Sequence, residues 1–176
     1  MSWEKWSKTV FIGLLAVFLS VIHAGPSVAE CFKEASEEYD IPEKLLVSIA
    51  EVESSFHPFA INYRYYRGGE KKTASFYPES REKAEKVVRY LWDKGYDFDL
   101  GIGQINSRNM KRFDIDPDEL LNPCYNLRWS AFILKDNIDR HGFNWKAVAA
   151  YNGSSVYSWK IFRSLMNNEA SNVRVK

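Results

Sequence analysis

The sequence is poor in metal ligands and carries no excess of charge of either sign. Three histidines and two cysteines are spread over 176 residues. His23 falls in an apolar N-terminal run, and His57 and His141 have no partner at ligand spacing, so no metal site is supported. Lys and Arg number 24 against 23 Asp and Glu, a formal charge of +1 that lacks the basic excess of a nucleic-acid binder. No internal repeat or low-complexity stretch is visible, and the patterning of a sandwich, barrel or doubly wound sheet is missing. The remainder, 45% hydrophobic and 27% charged, is that of one ordinary globular domain with a core to bury. Aromatics reach 15%, which suits stacking on sugar rings, although aromatic residues more often simply fill cores.

The N-terminus has three parts. Met1–Lys8 is weakly basic, Thr9–Ile22 is almost wholly apolar, and Ser27-Val28-Ala29 has the small-x-small form of a cleavage site. This is the layout of a secretory leader, and the apolar run is shorter than the ~20 residues of a membrane-spanning helix. Residues 1–29 are therefore expected to be removed, leaving a domain over 30–176 with no stable membrane span; an uncleaved anchor is the alternative. Glu30 stands where lipidation of Cys31 would require a small residue. Cys31 and Cys124 both lie beyond the cleavage site, and in an oxidising compartment an even pair reads as a disulfide. Two separate buried thiols are the other reading.

The periodicity of the rest is helical. Ser36–Tyr39 closes a short first helix, and Asp40 with Glu43 forms a capping-box pattern that opens a helix over Ile41–Glu53. Ala84, Val87, Val88 and Leu91 share one face of a helix from about Arg81 to Lys94, stopped by Gly95. Asn122-Pro123 starts a long helix that lasts to Gly142. Asn144 begins another, ended by Gly153, and Ser155 to about Leu165 makes the last, with a frayed polar tail over Asn167–Lys176. Tyr63–Tyr77, with Gly68-Gly69, breaks the pattern as a surface excursion or small hairpin. The expected fold class is all-α.

One acid stands out. On a wheel of ~100° per residue, Leu45, Leu46, Ile49 and Val52 make the apolar stripe of the Ile41–Glu53 helix. Glu53 falls between Leu46 and Ile49, whereas Glu51 points to the opposite, solvated side. A carboxylate on a core-facing stripe is costly unless it is paired, neutral or useful. Glu53 is thus a structural ion-pair partner, a residue emerging past the helix end, or a general acid in a cleft. Half-buried, it would stay protonated near neutrality, as glycosidic cleavage requires of its acid.

Its surroundings carry a resemblance. Glu53-Ser54-Ser55-Phe56-His57-Pro58 resembles the Glu-Ser-x-Phe-x-Pro signature of the goose-type-lysozyme-like lytic transglycosylases. Gly101-Ile102-Gly103-Gln104-Ile105-Asn106 is similar to the family's Gly-Leu-Met-Gln-Ile-Asn element, and Ala149-Ala150-Tyr151-Asn152-Gly153 to its Ala-Tyr-Asn-Ala-Gly element. Asn122-Pro123-Cys124-Tyr125-Asn126-Leu127 is similar to its Asn-Pro-x-x-Asn-Ile helix start. The motifs occur in family order over nearly all of residues 31–165. The chain departs from the pattern at Gly103 (usually Met), at Gly153-Ser154 (usually Ala-Gly), at Ser130 (often Gly) and in a longer Tyr63–Asp99 segment.

The resemblance implies a lysozyme-like helical fold and cleavage of the β-1,4 bond between N-acetylmuramic acid and N-acetylglucosamine. No cofactor is needed. Glu53 would be the catalytic residue. Ser54, the Ile102 backbone, Gln104, Asn106, Tyr151 and Asn152 would contact substrate. For Ser54 the competing role is a helix-end cap, for Tyr151 a core aromatic, and for Asn152 a turn former. The implied partners are peptidoglycan glycan strands and components of a secretion, conjugation or type IV pilus apparatus, since the small specialised members accompany such machines. Two other functions compete. A hydrolytic muramidase would use Asp97 or Asp99 to hold water, and a non-catalytic wall-binding module would tolerate loss of Glu53.

Overall fold

In the computed structural model the described residues are 25–173, with side chains described through Asn168. Helix α1 (Val28–Tyr39) is followed by α2 (Glu43–Ser54), strands β1 (Ile61–Arg67) and β2 (Glu70–Phe76), and α3 (Arg81–Asp93). Strands β3 (Asp97–Leu100) and β4 (Ile105–Asn106) precede α4 (Ser107–Phe113), and α5 (Pro123–His141), α6 (Trp145–Asn152) and α7 (Ser155–Val173) complete the chain.

Most helix boundaries follow local chemistry. The Asn122 side chain accepts from the Cys124 and Tyr125 amides at the start of α5, with Pro123 in the first turn where its missing N–H costs nothing. Asn144 caps α6 in the same way, and Gly153, at φ 74°, ends it. The Asp40–Glu43 capping box does not form. Asp40 is instead the left-handed C-cap of α1, at φ 51°, and α2 begins after Pro42 with no side-chain cap. The capping box of the structure is Ser27–Glu30, at the start of α1. Residues 1–24 of the expected leader lie outside the described residues, and cleavage after Ala29 would remove this cap. Helix α7 runs to Val173 instead of fraying near Asn167. Along its first half Tyr157, Ile161 and Ser164 are buried, which packs that part of the helix against the rest of the domain.

The excursion is larger than a hairpin. Strands β1 and β2 do form one, turned by Gly68 and Gly69 at φ 61° and 81°, the left-handed pair that a two-residue turn requires. Two further antiparallel strands, unforeseen from the sequence, extend it into a sheet of order β2-β1-β3-β4. Four and two residues long, β3 and β4 are too short to show a period of their own. Their alternation emerges once they are paired: Phe98 and Leu100 are fully buried opposite Tyr63 and Ile61, while Asp97 and Asp99 share the other face.

Among the described residues there are two apolar clusters. One joins α1, α2, α5, α6 and α7 around Leu46, Ile49, Leu127 and Leu134, and the other joins the sheet, α3 and α4 around Phe98, Leu100, Met110 and Leu120. Helix α5 contributes to both, and Tyr151 packs against both. The expected disulfide is present: Cys31 in α1 is bonded to Cys124 in α5, with Cα atoms 5.0 Å apart.

Candidate active site

Glu53 sits in the last turn of α2. Ser55 and Phe56 follow it in left-handed conformations, φ 51° and 64°, which end the helix abruptly and send the chain towards β1. The carboxyl is therefore held on a largely buried helix and lines a cleft of about 420 Å³. Helical residues Glu53, Tyr151 and Asn152 line one side, and Arg64, Asp97, Asp99, Gln104, Asn106 and Arg108 line the sheet side. Burial pushes the Glu53 carboxyl up from 4.5 to about 7; interaction with the Tyr157 hydroxyl opposes this, the Asp99 charge adds to it, and Asn152 and Lys160 oppose it weakly. Of the three roles open to Glu53, the cleft acid matches this geometry; no salt bridge engages it among the described residues.

Glu51 is half-buried instead of standing on an open, solvated face. Its carboxylate accepts from Ser164 Oγ at 2.6 Å and Asn168 Nδ2 at 3.2 Å, because α7 packs over a face of α2 that a single-helix wheel leaves open.

Most of the expected substrate contacts prove to be engaged within the protein. Ser54 is buried; its single hydroxyl proton is shared between Ile102 O at 2.8 Å and the more distant Ala50 O at 3.2 Å, tying the end of α2 to the Gly101–Gly103 loop and not to Glu53. Ile102 packs its side chain in the helical core, and its carbonyl is the acceptor for Ser54. Gln104 donates from Nε2 to Ala60 O at 2.9 Å and Gly101 O at 2.8 Å, while its Oε1 accepts from Asn62 at 2.7 Å, so no donor remains for a sugar. Asn106 donates to Asp97 at 3.0 Å and Asp99 at 2.7 Å, and its Oδ1 caps α4 through the Arg108 amide. The Tyr151 hydroxyl donates to Gly103 O at 2.8 Å instead of pointing freely at Glu53. Its own pKa is raised by burial and by the Glu53 charge, which places the ring beside the acid. Asn152 is exposed on the cleft wall and near enough to act on Glu53, so it is the expected contact that stays available.

The two aspartates form a ladder across three strands. Arg64 of β1 donates to Asp97 at 3.3 Å and Asp99 at 2.6 Å, and Arg108 donates to Asp97 at 2.8 Å. Burial raises the Asp97 pKa, but the Asn106 hydrogen bond and the Arg64 and Arg108 charges outweigh it and leave the group below its usual value. With both Asp99 oxygens engaged by Arg64 and Asn106, this pair is arranged to hold the sheet face together.

Two contributors stand outside the expected site residues, one of them, Asn126, within the Asn122–Leu127 motif. Tyr157 stacks on Tyr151 with ring centroids 6.2 Å apart, and its buried hydroxyl, which influences Glu53, makes no hydrogen bond of full geometry. In the sequence it is one more aromatic on a helical stripe. Asn126 is fully buried, donates to Leu100 O and Leu120 O, and accepts from the Gly103 amide at 2.8 Å. It leaves no room for a side chain at Gly101, where a Cβ would lie 2.1 Å from its Nδ2. The departures at 103 and 130 are one feature: a Cβ on Gly103 would lie 1.8 Å from Ser130 Oγ. The pair trades bulk in the loop for bulk on α5.

Fold and site together define a small, mainly helical domain with a cleft lined by a carboxyl, Glu53, whose pKa burial raises. The chain belongs to the transglycosylase SLT domain family, whose model matches residues 30–173. It is similar to "Invasion protein IagB" of Salmonella typhi, 32% identical over 72% of this chain and 64% of that protein. It is also similar to "Protein virB1" of Rhizobium radiobacter, 30% identical over 84% of this chain and 63% of that protein. A third relative, "Type IV secretion system protein virB1" of Brucella abortus, is 31% identical over 54% of this chain and 38% of that protein. The chain thus spans less than two thirds of the length of these relatives. No solved structure matches it.

Proposed function

We propose that this protein is an exported peptidoglycan lytic transglycosylase with Glu53 as its single catalytic acid and base. The observation that carries this reading is a carboxyl raised to about 7 in a cleft it shares with two aspartates already engaged by Arg64, Asn106 and Arg108. A two-carboxylate glycosidase needs a second, available acid as nucleophile or water-activating base. Here protonated Glu53 gives its proton to the glycosidic oxygen. The substrate's acetamido oxygen stabilises the positive charge at the anomeric carbon. Glu53, now a carboxylate, takes the proton of the muramic 6-hydroxyl as that oxygen attacks the same carbon. The glycosidic bond breaks, a 1,6-anhydro ring closes, and Glu53 ends protonated as it began. Gly101–Asn106 and Tyr151 support the cleft wall, and Asn152 is available to the sugar.

Residues 1–29 act as a leader that delivers the domain of residues 30–176 to the periplasm, where the Cys31–Cys124 bond forms. The names of the relatives, an invasion protein and a type IV secretion system protein, support a role in opening the wall for an envelope-spanning machine. Purified peptidoglycan treated with the protein should yield fragments ending in 1,6-anhydro-muramic acid, lighter by one water than hydrolytic products, as read by mass spectrometry. Reducing ends alone would assign the chain to hydrolysis.

A further inference from the structure

The sheet that interrupts the helical pattern gives the cleft a second chemical character. By register, Asn62, Arg64 and Tyr66 of β1 share a face with Lys71 of β2 and with Asp97 and Asp99 of β3. That face is continuous with the wall opposite Glu53, and Lys71 lines the same cleft as the acid. Its neighbour Lys72 pairs with Glu70. The Lys71 side chain has no ion-pair or hydrogen-bond partner among the described residues. Arg64 and Arg108 are engaged by Asp97 and Asp99. While Glu53 holds its proton, the cleft lining therefore presents three cations against two carboxylates, and the uncompensated charge is on Lys71.

Muramic acid differs from N-acetylglucosamine by a lactyl ether at its 3-oxygen. That arm ends in a carboxylate when bare and in an acidic stem peptide when substituted. We infer that Lys71, presented by the β1–β2 hairpin, binds a carboxylate carried on the lactyl arm of muramic acid and so makes the cleft read muramyl units instead of plain N-acetylglucosamine. This rests on the peptidoglycan reading above. It gives the hairpin a substrate role, because the cation it supplies, though solvent-exposed, lines the cleft that holds Glu53. A single solvent-accessible ion pair is worth a modest factor and weakens with salt.

The test uses the domain with Glu53→Gln, so that bound strands persist, and compares Lys71→Gln, Lys71→Glu and Lys71→Arg. Each is titrated with peptide-bearing glycan strands, with amidase-denuded strands that keep the lactyl carboxylate, and with uncharged N-acetylglucosamine oligomers. Lys71→Gln should lower the ratio of muramyl-strand to oligomer affinity by about two- to fivefold, Lys71→Glu by more, and Lys71→Arg hardly at all. The loss should shrink at high salt. A loss confined to peptide-bearing strands assigns the carboxylate to the stem peptide, and one seen on denuded strands assigns it to the lactyl group. An unchanged ratio, or equal losses on the uncharged oligomer, overturns the inference. Release of anhydro termini is scored in parallel with Glu53 intact. Cleavage without a Lys71 effect refutes this proposal alone, and absence of cleavage refutes the reading beneath it.

Discussion

Replacing Glu53 by Gln keeps the shape of the side chain but removes the proton it gives and recovers. Two measurements then follow from one cause. General acid–base assistance is typically worth roughly 10²–10⁴-fold, and since Glu53 serves both proton transfers the loss should reach or exceed the upper end. The second measurement is stability against pH. Burial raises the Glu53 pKa from 4.5 to about 7, so between those values the folded protein holds a proton that the unfolded chain has released. Stability contributed by the protonated, buried form is present in full below about 4.5 and is lost as pH rises to about 7, after which it levels off. At about 1.4 kcal/mol per unit, the wild type gives up on the order of 3 kcal/mol across this window. Glu53→Gln does not titrate. Its melting temperature should match the wild type near pH 4 and exceed it near pH 8, by roughly 5–10 °C for a domain of this size. Paired thermal melts from pH 4 to 8, with mass spectrometry of released muropeptides, measure both effects. Parallel melting curves would refute the buried, protonated carboxyl, and near-wild-type cleavage by Glu53→Gln would remove it from the mechanism.

The pH profile offers a separate check: wild-type activity should decline above about pH 7 as Glu53 loses its proton, and Asp99→Asn, which removes a charge that raises the Glu53 pKa, should move that limb to lower pH by a fraction of a unit while activity at acidic pH stays within about tenfold. A several-hundredfold loss in Asp99→Asn with the fold intact would instead favour a hydrolase. Gly103→Ala should destabilise the domain by about 1–3 kcal/mol through its clash with Ser130 Oγ, and Gly103→Ala with Ser130→Gly should be more stable than Gly103→Ala alone despite a helical glycine; denaturant melts showing simple additivity would reject the pairing. Reduction of Cys31–Cys124, which closes a long loop of 93 residues in sequence separation, should cost up to about 4–5 kcal/mol and lower the melting temperature by roughly 10 °C. Free thiols in native, folded protein would contradict it.

Much of the architecture was legible locally. Asn122-Pro123, Asn144 and Gly153 mark helix ends through contacts within a few residues, and they do so in the structure. The anomaly of Glu53 was also local, since a carboxyl between Leu46 and Ile49 is visible on one helix wheel. The disulfide partners followed from there being two cysteines in the chain. Asp40 is ambiguous locally because its short side chain suits either an N-cap or a left-handed C-cap; in the structure it takes the second, with its N–H donating to Ser36 O.

What only the tertiary structure decided is the destination of each polar side chain. Ser54, Gln104 and Asn106 carry donors that could have met a sugar. Which acceptors stand nearest depends on strands and loops 42 to 48 residues away for Gln104 and Ser54, and on pairing of a two-residue strand for Asn106. Composition and spacing do not encode those distances. The same holds for Asp97 and Asp99, whose Arg64 partner lies across the sheet, and for Ser130, whose hydroxyl fills the space that Gly103 leaves empty. The sequence by itself determined a helical domain with one misplaced acid. Long-range packing determined that the aspartates beside that acid are engaged by Arg64, Asn106 and Arg108, because buried donors and charges must find partners and most found them inside the protein.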